Sequence, residues 1–348
     1  MIRAIAVMLV VLGHCTLISS HYDQLSTYKY IPSYTPHSEA LLRKYIYSFH
    51  MPLFFWISGF IHYYSTMECG KDFKLLNSIN KKICRLLIPC FSTALFVLLP
   101  TVYLFGHHTK DVMQHLLGSI LGFDITFHLW FLPTLFLIFL FFILSHKFIH
   151  NINWGFMCVA LLLLHFSSNK FLLLKQPFYY AIYFYAGYIN RKYKDYVDAF
   201  KSSYGFITFF LVHIILFSCS ITDFLSIGQD EVSWAINSVI NIFMAFSGIY
   251  YMYYLSKILS HYLRSCNIWK HIAAVDKASY VIYLFHVSIV YCILFLFAKA
   301  QATNSLLRIT LGFSLGIILP YFIFHKLSQN TIFQFLFNGV YQKSNFKK

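Results

Sequence analysis

Ser279-Tyr280-Val281-Ile282-Tyr283-Leu284-Phe285-His286-Val287-Ser288-Ile289-Val290-Tyr291-Cys292-Ile293-Leu294-Phe295-Leu296-Phe297-Ala298 carries no Asp, Glu, Lys or Arg. An α-helix rises about 1.5 Å per residue, so about 20 apolar residues cross about 30 Å of hydrocarbon. This stretch therefore predicts a membrane helix. Ser279, Tyr283 and His286 fall at i, i+4 and i+7, which puts a polar stripe on one face of it. Such a stripe predicts a cavity or a hydrogen-bonded seam between helices.

The same kind of run recurs along the chain. Hydrophobic residues make up 59% of the 348 residues and charged residues 11%. A soluble domain carries about 25% charged residues, so this chain lacks the means to clothe a water-facing surface. Apolar runs predict ten membrane segments, near 1–20, 43–65, 86–105, 128–146, 154–169, 177–191, 203–222, 235–256, 277–298 and 306–326. The expected fold is an all-α polytopic transmembrane helical bundle forming a single domain over 1–348. Arg3 followed by Ala4–Leu12 imitates the start of a signal peptide, and Leu12-Gly13-His14-Cys15 imitates a lipoprotein box. His14 stands where such a box needs a small residue, so the run reads as the first membrane helix.

The formal charge of +15 sits in loops, which reads as topology and not as nucleic-acid binding. With the N-terminus inside, one set of loops holds Lys71, Lys74, Lys81, Lys82, Arg85, Arg191, Lys192, Lys194, Lys201, Lys257, Arg264, Lys270 and Lys277. The other set holds fewer basic residues, and loop 223–234 has Asp223, Asp230 and Glu231 with none. The positive-inside rule then predicts both termini to be cytoplasmic. The outer segment 21–42 is expected to help cover an extracytoplasmic site. The eight cysteines form no CxxC pair, so neither a disulfide framework nor a zinc site is expected.

Ionisable groups are costly inside a bilayer, so those present are functional candidates. None of the twelve carboxylates falls near the middle of a predicted segment, whereas His14, His50, His165, His213 and His286 do, with His128 at a segment's outer end. Arg3 and His14 lie on about the same helical face. Pro52 is expected to bend its helix, and Ser58-Gly59 to allow close helix approach. Lys82 and Arg85 share a face and suit phosphate groups. Trp130, at the outer start of its segment, suits an interface anchor.

In order these features run Arg3 with His14, then Phe49-His50-Met51-Pro52-Leu53-Phe54-Phe55 leading to Ser58-Gly59-Phe60. Lys82 and Arg85 follow before Leu86-Leu87-Ile88-Pro89, then His128-Leu129-Trp130-Phe131-Leu132, then Ser279, Tyr283 and His286. The set resembles the bacterial membrane acyltransferase family 3, which includes sugar O-acetyltransferases. The phrasing around His50 is most similar to its fucose 4-O-acetylase-like branch. The resemblance implies transfer of an acyl group, acetyl first among them, from acetyl-CoA to a hydroxyl of an O-antigen, capsule or exopolysaccharide unit at the bacterial inner membrane. It implies His14, His286 and Tyr283 as catalytic residues, and Arg3, Lys82, Arg85 and Ser279 as donor-binding. His50, His128 and Trp130 are expected toward the saccharide, and no metal is expected. Lys82 stands where the family has Arg, which keeps charge but loses bidentate geometry. A polysaccharide exporter or lipid-linked sugar flippase is the alternative that ten helices with a polar interior would also allow.

Overall fold

A computed structural model describes residues 1–16, 37–68, 75–104, 110–122, 124, 127–171, 174–221, 231–302 and 304–340. Among them no strand occurs. The helices are α1 (Ile2–Cys15), α2 (His37–Tyr47), α3 (His50–Tyr63), α4 (Leu75–Leu104), α5 (Lys110–Leu121) and α6 (Phe131–Leu144). They continue as α7 (His146–Asn151), α8 (Trp154–Ser167), α9 (Lys175–Lys192), α10 (Lys194–Asp198) and α11 (Ser202–Ile221). The last are α12 (Glu231–Leu263), α13 (Ile268–Lys299), α14 (Ser305–Leu327) and α15 (Thr331–Asn338). Most of the segment 21–42, expected to cover a site, lies outside the described residues.

Among the described residues, five helical stretches are long and apolar enough to cross a membrane: Leu75–Leu104, Ser202–Ile221, Ile236–Leu263, Ile268–Phe297 and Ser305–Leu327. Ile2–Cys15 and His128–Leu144 are apolar but shorter. The other expected segments are helical but broken, short or, as in the unbroken 18-residue α9, not apolar enough. Hydropathy registers the length of an apolar run, not where its backbone hydrogen bonds stop.

The segment 43–65 shows why. Its helix breaks at Ser48–Phe49, and α3 starts afresh at His50. Pro52 therefore sits in a first helical turn, where a missing N–H costs nothing. It does not bend a continuous helix as expected. Further along, Gly59 and Gly187 let α3 and α9 close on each other. A Cβ on Gly59 would lie 1.8 Å from the Phe184 carbonyl oxygen, and one on Gly187 would lie 1.9 Å from that of Trp56. At the ends of these two helices Arg191 is paired with Glu68. The hydrogen bonds from Arg191 hold the Glu68 carboxyl below the usual carboxylate range. The tie is thus complete at neutral pH and loosens as pH falls through that lowered value.

Proline also shapes α4. Pro89 cannot donate to the carbonyl four residues back, that of Arg85. The chain passes through a wide π turn at Ile83–Leu87, and the Tyr280 hydroxyl of α13 donates to the Arg85 oxygen at 2.6 Å. Tyr280→Phe should leave that carbonyl without its donor and cost about 1–3 kcal/mol. In a Pro89→Ala background the penalty should shrink, because the helix then supplies its own N–H. Thermal unfolding of the four proteins in detergent measures this; equal penalties in both backgrounds would contradict it.

Two parallel helices frame the interior. Arg3 of α1 is paired with Asp276 of α13, and the N-terminal amine lies 3.5 Å from the same carboxylate. Antiparallel α14 packs on both: a Cβ on Gly316 would meet Val11 at 2.9 Å and Val290 at 3.6 Å.

Candidate active site

About three turns beyond the Arg3–Asp276 pair, α1 and α13 each present an imidazole. His14 occupies the last turn of α1 and His286 the middle of α13. Their ring centroids are 5.0 Å apart. His128 joins them from the short 3-10 turn His128–Trp130 that leads into α6, 5.4 Å from His286 and 6.4 Å from His14. Three distant parts of the chain thus meet in one cluster. His128 and His286 are buried and His14 is half-buried.

Backbone carbonyls fix which nitrogens carry protons, because a carbonyl oxygen only accepts. His286 Nδ1 donates to Tyr283 O at 2.8 Å and Ile282 O at 3.0 Å, so neutral His286 keeps a lone pair on Nε2. His128 Nε2 donates to Leu284 O at 3.2 Å, leaving its lone pair on Nδ1. Both of these bare nitrogens, and Nδ1 of His14, are buried without a hydrogen-bond partner. Among the described histidines these three alone are in that state. His165 and His213, also expected inside the bundle, spend Nδ1 on the carbonyls of Tyr179 at 2.7 Å and Met244 at 2.9 Å. Buried polar groups are normally satisfied, so three bare imidazole nitrogens within one ring cluster mark it out chemically. Among the described residues no group of His, Cys, Asp and Glu has the arrangement of a metal site.

The remaining expected residues divide. Tyr283 belongs to the centre, but its hydroxyl donates to the His128 carbonyl. It ties the turn that carries His128 and has no proton left over for a substrate oxygen. Ser279 Oγ donates to its own helix at Asp276 O, 2.8 Å away. His50 stacks on Tyr47 at 4.6 Å and gives its Nδ1 proton to Ile46 O at 3.0 Å. Trp130 is buried, packed on Tyr180 at 5.4 Å and near Phe55 at 6.5 Å. It is a wall of the aromatic core here, not an open platform.

Lys82 and Arg85 share a helix but splay. Lys82 Nζ lies 3.4 Å from the Phe139 ring centroid of α6. Arg85 sits 5.6 Å over Tyr280 and donates to Asn338 O at 3.1 Å. Among the described residues neither has a carboxylate partner, whereas Arg3 has one in Asp276. A cavity of about 420 Å³ opens between α13 and α14, lined by Trp269, Lys270, Lys277, Tyr321 and His325. From sequence alone Lys270 and Lys277 read as loop charges, and Arg3 has no assigned partner. Sequence spacing says nothing about residues that meet across 273 positions.

A family model described as an acyltransferase domain matches residues 1–325. No curated protein and no solved structure matches the chain.

Proposed function

This chain belongs to the acyltransferase 3 family, and on that premise we propose that its three-imidazole centre passes an acyl group, acetyl first among candidates, from an acyl-coenzyme A to a hydroxyl of a cell-surface or lipid-linked saccharide. The reading places the chain in a bacterial inner membrane with the Arg3–Asp276 end and both termini toward the cytoplasm. The observation that carries it is the set of bare nitrogens on His14, His128 and His286.

Acyl transfer to an alcohol needs a base for the hydroxyl proton and a thioester held beside it. His14, with Nδ1 uncommitted, takes that proton. The hydroxyl oxygen attacks the thioester carbonyl, a tetrahedral oxyanion forms and collapses, and the C–S bond breaks. The proton on His14 then passes to the departing thiolate, so base and acid are the same ring. His286 and His128 carry bare lone pairs, not spare protons, in this cluster. They orient a hydroxyl or steady a protonated His14. Tyr283 acts through the His128 turn as a positioning residue.

Donor phosphates suit Lys82, Arg85 and the Lys270–Lys277 cavity, where positive charge is not cancelled by a described carboxylate. Arg3 serves chiefly to pin α1 to α13, and Ser279 lies one turn from Tyr283 on the donor side. His50 and His128 face the acceptor side, with Trp130 supporting the turn from behind.

The test uses the purified chain in lipid nanodiscs with acetyl-CoA and surface glycan from a strain lacking the gene. Glycan-dependent release of coenzyme A thiol and gain of acetyl groups on the glycan are expected. An exporter or flippase would leave acetyl-CoA untouched, and that result would overturn the proposal.

A further inference from the structure

Past the end of α1, on the side of His14 away from Arg3, lies a second polar cluster. Glu39, Arg43 and Tyr47 stand one turn apart on one face of α2. Arg308, in the first turns of α14, donates to Glu39 Oε2 at 2.5 Å. The pair is buried, with 7% of the Arg308 side chain and 6% of the Glu39 side chain exposed. The pairing is nevertheless incomplete. Glu39 Oε1, Arg308 Nε and Arg43 Nη1 are all buried without a hydrogen-bond partner.

The cluster is continuous with the imidazole centre. Tyr47 stacks on His50, and its ring lies 3.0 Å from where a Cβ on Gly13 would stand. One turn along from Arg308, Gly312 faces the Cys15 sulfur, 3.0 Å from the position of a Cβ.

An ion pair whose purpose is to hold two helices together is stable when its lone pairs and protons are all used. Here a carboxylate oxygen and N–H groups of two guanidiniums remain open, the carboxylate and one guanidinium a turn apart on α2. That set is complementary to adjacent hydroxyls, each of which donates to a carboxylate and accepts from a guanidinium. A phosphate or sulfate would meet the Glu39 charge, and an acyl chain would leave all three atoms unpaired. We propose that Glu39, Arg43 and Arg308 bind the hydroxyl edge of a neutral saccharide unit and so deliver the acceptor to His14. This rests on the acyltransferase reading given above and adds to it the acceptor-binding residues.

Two variants test it. Arg43→Gln leaves the Glu39–Arg308 pair in place. The exchange Glu39→Arg with Arg308→Glu keeps a buried ion pair but reverses the pattern offered to a sugar. Each is placed in cells lacking the gene, and acyl content of the cells' own surface glycan is read by mass spectrometry. The detergent-purified proteins are then heated with and without coenzyme A. Glycan acylation is expected to fall about tenfold or more, with the coenzyme A-induced rise in unfolding temperature kept at the wild-type value. Acylation at the wild-type level in both variants would overturn the proposal. So would acylation and the coenzyme A effect falling together, which is what a purely structural pair gives. A wild-type chain that neither acylates glycan nor responds to coenzyme A sinks the acyltransferase reading itself, and this site with it.

Discussion

Replacing His14 with alanine lowers acyl transfer by about a hundredfold to ten-thousandfold, the range a positioned general base contributes. The loss should appear in turnover, not in donor affinity, because the donor phosphates suit Lys82, Arg85, Lys270 and Lys277, which the substitution leaves in place. Folding should survive. His14 Nδ1 makes no hydrogen bond, so its removal leaves no partner stranded. His128 and His286 keep their bonds to Leu284, Tyr283 and Ile282. Release of coenzyme A thiol by purified His14→Ala at saturating acetyl-CoA measures the effect. A rate within a few fold of wild type would remove His14 from the chemistry.

Gly59→Ala produces the largest structural effect. Its new methyl would stand 1.8 Å from the Phe184 carbonyl oxygen and 2.8 Å from that residue's carbonyl carbon. These are backbone atoms of α9, so no rotamer change relieves the contact, and the two helices must separate. Overpacking in a tight interior costs about 1–3 kcal/mol or more, and here the close approach that holds membrane helices together is lost as well. The expected result is a sharp fall in folded protein, seen as loss of the monodisperse peak in detergent. Gly187→Ala should act alike, and the two should not add, since they open the same crossing. Gly155→Ala is the control, because its methyl meets just one side-chain atom, Asn153 Oδ1, at 3.3 Å. Equal behaviour of Gly59→Ala and Gly155→Ala would contradict the account.

The helical nature of the chain was legible because it rests on apolar run length, which local sequence states directly. Ser58-Gly59 announced a close helix crossing for the same reason. Pro52 misled, since a proline bends a helix only if the helix already extends before it, and α3 begins at His50. The membership of His14 and His286 in one site came through the resemblance, not from spacing. Single-helix periodicity relates Ser279, Tyr283 and His286 but cannot say that Tyr283 spends its proton on the His128 carbonyl. Lys82 and Arg85 show the same limit: three residues apart on a helix, they diverge because Phe139 draws one and Tyr280 and Asn338 the other. Glu39, Arg43 and Arg308 are not legible as a site, because from sequence each reads as an ordinary charge on the outer side. Their meaning lies in burial and unpaired atoms, which appear only after α2 and α14 pack around the end of α1.

The central claim is that a cluster of bare imidazoles transfers an acyl group to a glycan hydroxyl. Its most direct measurement is mass spectrometry of surface glycan from three strains: one lacking the gene, one complemented with the wild-type chain, and one complemented with His14→Ala at equal protein level. The account predicts acyl increments on the glycan of the wild-type strain alone. Equal glycan masses in the wild-type and His14→Ala strains would contradict it.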